Sequence, residues 1–334
     1  RSIMAIKRNM VAGILLTLAV SIVAKLLSPY LPSLGGEALA MLMGIVLGNT
    51  LFAHERWNAG VKWAEKYPIE IGIAVLGLNV TLNNMATLGW SGVIFILLQM
   101  TATILFVMWI GGRVFKVAPQ SAMLMGAGNA VCGSSAIASV APAIGASDNQ
   151  RRTAVATVSL AGVVLLFVLP VIGPELLHHN DMLVSALIGG TVQSVGQVSG
   201  TASLVGGDVV TYAPIFKMLR VVLLSAVVIL MSRYATKATP VEGVAPTSKV
   251  KVPWFVVTFI VLVVINSFVS LPHVLTGTAH EVTSFFGIVN LAGIGLNLKW
   301  ATIKSSGATF LGYGLVTIIF QVVLALGLIT LLMH

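Results

Sequence analysis

The chain has 334 residues, of which 57% are hydrophobic and only 9% are charged, and its formal net charge is +9. Soluble domains carry about 25% charged residues, so this composition excludes a soluble globular protein and predicts a polytopic helical membrane protein. The Lys and Arg residues do not form one patch with interleaved aromatic residues, so we expect basic cytoplasmic loops rather than a nucleic-acid partner. The single cysteine excludes an internal disulfide and a cysteine-rich metal site.

The hydropathy pattern predicts an all-α integral membrane protein with about eleven transmembrane segments. Lys7 and Arg8 precede the first segment as in a signal peptide, but no small-residue cleavage site follows, so we interpret this run as a spanning helix. An amphipathic stretch at 56–67 precedes the third segment, and Pro214 suits the first position of the eighth. The predicted segments are 9–27, 37–52, 69–82, 90–110, 121–144, 153–172, 182–205, 214–232, 253–269, 282–298 and 307–333.

Residues 234–252 are rich in Lys, Pro, Thr and Gly and form the one obvious linker in the sequence. They divide the chain into an N-terminal transmembrane part (1–233), the linker, and a C-terminal part of three helices (253–334). If the N-terminus is cytoplasmic and all segments cross, most of the 19 Lys and Arg residues lie on the cytoplasmic side. The sequence therefore predicts a cytoplasmic N-terminus and a cytoplasmic linker.

An internal repeat relates the two parts of the chain. Residues 74–80 (AVLGLNV) match residues 292–298 (AGIGLNL), with an offset of 218 positions (292 − 74 = 218), and residues 48–52 match 265–269 at nearly the same offset. An odd number of predicted segments separates the copies, so they have opposite orientation. Inverted repeats are typical of secondary transporters.

The segment 121–144 contains the stretch GAGNAVCGSSAIASVAPAI at 126–144, with several glycines and small polar residues. Each Gly weakens a helix interior by about 0.5–1 kcal/mol relative to Ala, and a backbone group freed in lipid needs a partner from protein or a watery cavity. We interpret the stretch as a broken or re-entrant helix lining a cavity, with close helix packing as the alternative. Its candidate substrate-binding residues are Asn129, Cys132, Gly133, Ser134 and Ser135.

A second stretch of this kind, GGTVQSVGQVSGTAS at 189–203, lies within the segment 182–205. Two such stretches in one chain favour a shared polar site over helix–helix packing contacts. Whether the two segments cross the membrane or re-enter it stays open. The candidate substrate-binding residues here are Gln193, Ser194 and Gln197.

Lys217 and Arg220 are predicted to open the eighth helix, with both cations on one face because of their i,i+3 spacing. Charged residues inside a membrane are functional candidates by default. Arg can hold an oxyanion through two hydrogen bonds, and Lys adds a point charge. Snorkelling of both side chains to the interface is the alternative.

Other polar residues give weaker indications. Asn79 and Asn297, at matching positions of the repeat, are candidate ion ligands or helix–helix contacts. No predicted segment carries a central Asp or Glu, and Cys132 has no nearby His in the sequence, so neither a carboxylate proton relay nor a catalytic nucleophile is expected. We predict no enzyme activity, no metal site and no cofactor, with Na⁺ or H⁺ left open as a coupling ion.

Several motifs together resemble the bacterial sulfate exporter family, inner-membrane proteins placed near the bile-acid, arsenite and riboflavin transporters. They lie at 71–79, 126–136, 191–198, 217–221 and 253–268. The resemblance implies an inverted-repeat, elevator-like carrier for sulfate or small sulfonates in the bacterial inner membrane. Members of that family often have His followed by Glu or Asp where this chain has Gln193 and Ser194, which leaves proton coupling in question here.

The sequence therefore predicts a secondary transporter that moves a small anion by alternating access, with the lipid bilayer as its surroundings and a homodimer as an open assembly state. A sodium-coupled organic-anion symporter is the close alternative, since backbone carbonyls of the broken stretches could coordinate Na⁺. A passive channel ranks third. An enzyme ranks last, since the sequence shows no nucleophile–base pair.

Overall fold

We analysed a computed structural model, which describes residues 6–31, 35–238, 254–301 and 307–333. The described residues are helical throughout, apart from short connections, and they contain no β-strand, as predicted. The helices are α1 (Val11–Leu27), α2 (Gly35–Asn49), α3 (Asn58–Leu76), α4 (Leu82–Thr87), α5 (Gly89–Arg113), α6 (Pro119–Ala127), α7 (Ser134–Ala143), α8 (Asp148–Leu176), α9 (Asp181–Thr191), α10 (Val195–Val205), α11 (Val209–Val222), α12 (Leu224–Ala238), α13 (Trp254–Phe268), α14 (His273–Asn297) and α15 (Ala308–Leu332).

Five helical stretches in the described part of the chain are long and apolar enough to cross a membrane. Shorter apolar helices accompany them at Leu39–Asn49, Asp181–Thr191 and Trp254–Phe268. The five long stretches are Arg8–Tyr30, Gly89–Arg113, Asn149–Leu176, Val209–Ala235 and Ala308–Leu332.

The two stretches rich in glycine and small polar residues are broken helices, as the sequence predicts. The segment 121–144 divides into α6 and α7, and the segment 182–205 divides into α9 and α10. Most of the predicted linker (239–252) lies outside the described residues, and its first residues, through Ala238, continue α12.

The third predicted segment differs from the structure, because its helix already begins within the amphipathic stretch that precedes it. α3 runs without a break from Asn58 to Leu76, with Pro68 inside it. Val61 and Ala64, in its charged first half, are buried. A hydropathy window stops at the charged turns, whereas the helix continues because one of its faces is packed.

The eighth predicted segment also begins in the wrong place. α11 starts at Val209, so Pro214 lies inside the helix rather than at its first position. Lys217 and Arg220 therefore lie well inside a membrane-length helix and do not open it. Pro214 does not mark the start of the helix, because the residues before it extend α11 by more than a turn.

The structure divides into two compact units. The first comprises Arg1–Met85 and Val257–Lys304. Its core is formed by apolar residues of α1, α2, α3 and α14, and Gly60 of α3 lies so close to α1 that an added Cβ would be 2.0 Å from the Met10 carbonyl oxygen. The buried core residues are Leu16, Val20, Ala24, Leu39, Ala40, Val61, Ile288, Ala292 and Leu296.

The internal repeat appears in this unit as pairs of equivalent contacts. Gly77 and Gly295 are 218 positions apart, as are Phe259 and Met41. A Cβ added to Gly77 would lie 2.6 Å from the Phe259 carbonyl oxygen, and one added to Gly295 would lie 2.3 Å from the Met41 carbonyl oxygen. Such reciprocity is the mark of a two-fold relationship.

The two copies of the repeat have opposite orientation, as predicted. Asn290 of α14 donates to the Glu65 carbonyl oxygen of α3 at 2.8 Å, and Thr283 donates to the Gly72 carbonyl oxygen at 2.8 Å. The residue number falls along α14 as it rises along α3, so these helices are antiparallel. Because α3 and α14 are equivalent, the repeat is inverted.

The second compact unit comprises Ala86–Val256 and Ser305–His334 and contains both broken helices. Phe95 of α5 and Phe216 of α11 meet edge to face in its core, with ring centroids 6.4 Å apart. Gly189 of α9 packs directly on Phe216, where a Cβ would lie 2.4 Å from the Phe216 Cβ. This packing holds α9 against α11, the helix that carries Lys217 and Arg220.

Candidate functional site

The first broken helix changes direction at Gly133. After α6, a π-helical turn (Gly128–Cys132) leads to Gly133, whose φ and ψ are 65° and −130°, and α7 begins at the next residue. This backbone conformation is essentially restricted to glycine. No side chain caps the N-terminus of α7, so the N–H groups of its first turn lack the usual side-chain acceptor.

The second broken helix has an extended connection and a well-formed cap. α9 ends at Thr191, and Ser194 is the N-cap of α10. Ser194 Oγ accepts from the Gln197 backbone N–H at 3.1 Å, and Gln197 Oε1 accepts from the Ser194 N–H at 3.1 Å, which is a capping box. Gln197 Nε2 also donates to the Ser159 carbonyl oxygen at 2.9 Å. Ser194 and Gln197, which the sequence predicts as substrate-binding residues, thus cap the start of α10.

The two breaks meet. A Cβ added to Gly133 would lie 3.5 Å from both the Cβ and the backbone nitrogen of Ser194. Asn129 and Gln193 also join the two breaks, since Gln193 Nε2 donates to Asn129 Oδ1 at 2.9 Å. Both of these side chains are fully buried. The structure therefore brings the two predicted stretches to one crossing point.

Lys217 contacts both breaks at this crossing and is fully buried. Its Nζ donates to the Val131 carbonyl oxygen at 2.5 Å, to the Val192 carbonyl oxygen at 2.9 Å and to the Gln193 carbonyl oxygen. These three bonds use all three donors of an ammonium group. One lysine thus joins the ends of the first halves of both broken helices.

Arg220 has the same role one turn further along α11, and it is also fully buried. Four of its five donors contact carbonyl oxygens of the two breaks, all at 2.7–2.9 Å. Nε donates to Ala130, Nη2 to Asn129, and Nη1 to Gly189 and Val192.

The two cations therefore cap helix C-termini. The last carbonyls of a helix have no partner within it and carry about half a negative charge. Lys217 and Arg220 satisfy these carbonyls for both first halves. Snorkelling, the sequence-based alternative, does not describe side chains that are fully buried and bonded to internal carbonyls.

The charges at the crossing do not balance. Two helix C-termini supply about one negative charge in total, whereas Lys217 and Arg220 in their protonated forms, together with the N-termini of α7 and α10, supply about three positive charges. No acidic residue lies in the first turn of α7 or of α10. Among the described residues of this unit, no buried Asp or Glu offsets the excess.

A cluster of buried amides extends the crossing, and sequence reasoning missed half of it. Gln321 of α15 donates to the Asn129 carbonyl oxygen at 3.0 Å and accepts from Gln193 Nε2 at 3.2 Å. Gln99 of α5 donates to the Gln321 carbonyl oxygen at 2.8 Å. Each of these glutamines is a lone amide within a long apolar helix, which is a signal the sequence does contain.

Three acceptors of this region have no hydrogen-bond partner among the described residues: Gln99 Oε1, Thr103 Oγ1 and Gln193 Oε1. Their residues are 1% exposed or less. An unpaired buried acceptor costs about 1–3 kcal/mol, and it is the kind of group that a bound ligand can satisfy.

The remaining predicted residues have separate positions. Cys132 is buried in the π-helical turn, and Ser134 and Ser135 belong to the first turn of α7. Asn79 and Asn297 lie in the other compact unit. Asn297 donates to the Glu65 carboxylate, whereas Asn79 Nδ2 has no partner among the described residues.

Several known membrane proteins are similar to this chain over most of its length. The membrane protein YdhF of Lactococcus lactis is 41% identical, over 97% of this chain and 99% of its own length. A membrane protein of Lactiplantibacillus plantarum is 39% identical over 98% and 99%. The inner membrane protein YeiH of Escherichia coli K12 is 32% identical over 81% and 78%.

No solved structure matches the chain. The names of these three relatives describe membrane proteins and specify neither a substrate nor an activity. The family model described as conserved hypothetical protein 698 matches residues 12–314, which is most of the chain. This chain is a membrane protein that belongs to the conserved hypothetical protein 698 family.

Proposed function

We propose that this protein is a secondary transporter that binds a small anion, of the sulfate or sulfonate type, at the crossing of its two broken helices and moves it by alternating access. The observation that supports this proposal is the excess of positive charge buried where Gly133 meets Ser194. An uncompensated charge inside a membrane protein is costly, and an anionic ligand would remove most of the excess.

The site offers donors suited to an anion. The first-turn N–H groups of α7 have no side-chain cap, and helix N-termini bind anions through such groups. Ser194 lies beside them and is half-buried. We expect the anion to lie against the start of α7 and next to Ser194. Lys217 and Arg220 donate their hydrogen bonds to backbone carbonyls, so they would attract the anion through their charge without contacting it.

The transport mechanism follows the placement of the site. Every residue of the crossing belongs to the compact unit Ala86–Val256 and Ser305–His334, so this unit would carry the substrate in an elevator-like mechanism. Transporters with inverted repeats and broken helices place their substrate sites in this way. We also propose the inner membrane as the location, a cytoplasmic N-terminus, no enzymatic activity, and a homodimer as the assembly.

Anion binding is the first property to test. Purified protein should be heated in sodium-free buffers of equal ionic strength that contain sulfate, methanesulfonate or chloride as the principal anion. Sulfate or methanesulfonate should raise the melting temperature above its value in chloride, since a ligand that binds only the folded state stabilises it. Equal melting in all three buffers would count against the proposal.

A sodium-coupled symporter is a second candidate, and the unpaired acceptors of Gln99, Thr103 and Gln193 favour it. Oxygen atoms held in place at a helix break are suitable ligands for Na⁺. The nearby charges of Lys217 and Arg220 oppose a bound cation, which is why we place it second. Replacing choline by sodium at constant ionic strength and constant anion should stabilise a sodium-coupled protein and leave a sodium-independent one unchanged.

A further inference from the structure

A long apolar groove lies on the compact unit that carries the crossing. It has a volume of about 770 Å³ and runs between α5 and α12, with the start of α6 at one end. Its lining is apolar except at a few positions, and it extends from Leu97 to Gly112 of α5. That length corresponds to about 22 Å of helix, which exceeds the roughly 15 Å of one leaflet's hydrocarbon.

One end of the groove is basic and aromatic. Trp109 and Tyr234 line this end and are 59% and 55% exposed. Arg113 directly follows Gly112 of the lining, Arg233 directly precedes Tyr234, and both arginines are exposed. Tryptophan and tyrosine are enriched where hydrocarbon gives way to headgroups, so this end suits the headgroup level.

The chemistry of the groove, which is apolar along its length and has two arginines at its aromatic end, suits an anionic lipid. The groove has free space at Gly112, where an added Cβ would meet no atom within 4 Å. Basic clusters beside transmembrane helices attract anionic headgroups. An acyl chain fills an apolar groove without hydrogen bonds, and arginine binds a phosphate through paired hydrogen bonds.

We propose that the α5–α12 groove is a specific site for one anionic phospholipid, with an acyl chain between the helices and the headgroup phosphate held by Arg113 and Arg233. Pro119 and Ala122 of α6 form part of the groove wall, and α6 leads directly into the first break. A lipid in the groove therefore contacts the helix that holds one side of the crossing. This site is separate from the proposed anion site and does not depend on it.

Native mass spectrometry tests the proposal on the full chain in detergent. The protein is offered phosphatidylglycerol and phosphatidylcholine with identical acyl chains, in equal amounts. We expect one phosphatidylglycerol per chain to be retained in preference to phosphatidylcholine. The double variant Arg113→Gln/Arg233→Gln should lose this preference by about fivefold per arginine removed. A matched control is Arg8→Gln/Arg56→Gln, which removes two exposed arginines of the other compact unit.

The apolar part of the site is tested by filling it. Gly112→Leu places a side chain in the open end of the groove and should lower retention of both lipids. Gly277→Leu is the matched control, because a Cβ at Gly277 of α14 also meets no atom within 4 Å and the residue does not line the groove. Melting temperatures of all variants in phosphatidylcholine show whether each is folded.

Three outcomes would overturn the proposal. The first is equal retention of the two lipids by the unmodified chain. The second is an unchanged preference in the arginine double variant. The third is a dimer that Gly112→Leu dissociates, since the groove would then be an interface between two copies of this chain.

Discussion

Gly133 and Ser194 lie side by side where the two broken helices cross, and a Cβ added to Gly133 would be 3.5 Å from the Cβ of Ser194. The residues are far apart in the sequence, and each marks the point where a helix of the pair resumes. The N-termini of α7 and α10 are therefore adjacent, close to the buried side chains of Lys217 and Arg220.

Gly133→Ala should reduce both stability and anion binding. A non-glycine residue at φ 65° and ψ −130° costs about 1–3 kcal/mol, and the added methyl group would lie in van der Waals contact with Ser194. Gly206→Ala is the control, because Gly206 also has a positive φ of 83° but has no atom within 4 Å of an added Cβ. Both variants should have a lower melting temperature than the unmodified protein, and only Gly133→Ala should lose sulfate-dependent stabilisation. Normal sulfate binding by Gly133→Ala would place the anion elsewhere.

Lys217→Gln and Arg220→Gln should destabilise the protein even without substrate. Each variant leaves several buried carbonyls of the two breaks without a charged partner, and breaking a buried charged contact typically costs about 3–5 kcal/mol. Thermal unfolding in the absence of sulfate and sulfonate measures this, with Arg8→Gln as an exposed control. If both variants melt like the unmodified protein, these cations serve the substrate rather than the fold.

Ser194→Asp should abolish anion binding while keeping the fold. Aspartate is as good an N-cap as serine, so α10 remains capped. Its carboxylate would repel a bound anion by about 4 kcal/mol at 4 Å in a medium of dielectric constant about 20, which weakens binding more than about a hundredfold. Ser194→Asn is the neutral control. Direct binding of labelled sulfate at pH 7.5 should be lost in the first variant alone, and equal affinity in both would rule out an anion beside Ser194.

The linker orientation can be checked with one introduced cysteine. Residue 245 lies in the predicted cytoplasmic linker, outside the described residues, and the native Cys132 is buried and gives little background. Ala245→Cys should react with an impermeant maleimide only after the membrane is opened, because the basic linker is held in the cytoplasm. Labelling from outside intact cells would reverse the proposed topology.

The sequence predicts the helical class, both helix breaks and the inverted repeat, because each leaves a compositional signal. Glycines and small polar residues inside an apolar segment mark a break, and the repeat at Ala74 and Ala292 is visible as matching residues. The hydrogen-bond partners of Lys217 cannot be predicted from the sequence, because they are backbone carbonyls and these have no sequence signature. The predicted start of this helix at Pro214 is wrong for a different reason, because Pro214 lies inside α11.

The burial of Gln321 and Gln99 is predictable from the sequence, but their common site is not. Each is an isolated amide in a long apolar helix, and such a group needs a partner inside the membrane. That requirement predicts a buried contact for each residue. It does not predict that both contacts meet at Asn129 and its neighbours, which depends on helix packing.

Anion exchange in proteoliposomes tests the central claim most directly. Vesicles containing purified protein are loaded with unlabelled sulfate, and entry of labelled sulfate is measured for the unmodified chain, Ser194→Asn and Ser194→Asp. The account predicts saturable uptake that internal sulfate accelerates in the first two proteins and that Ser194→Asp lacks. Uptake that does not saturate, that internal sulfate does not accelerate, or that persists in Ser194→Asp would contradict it.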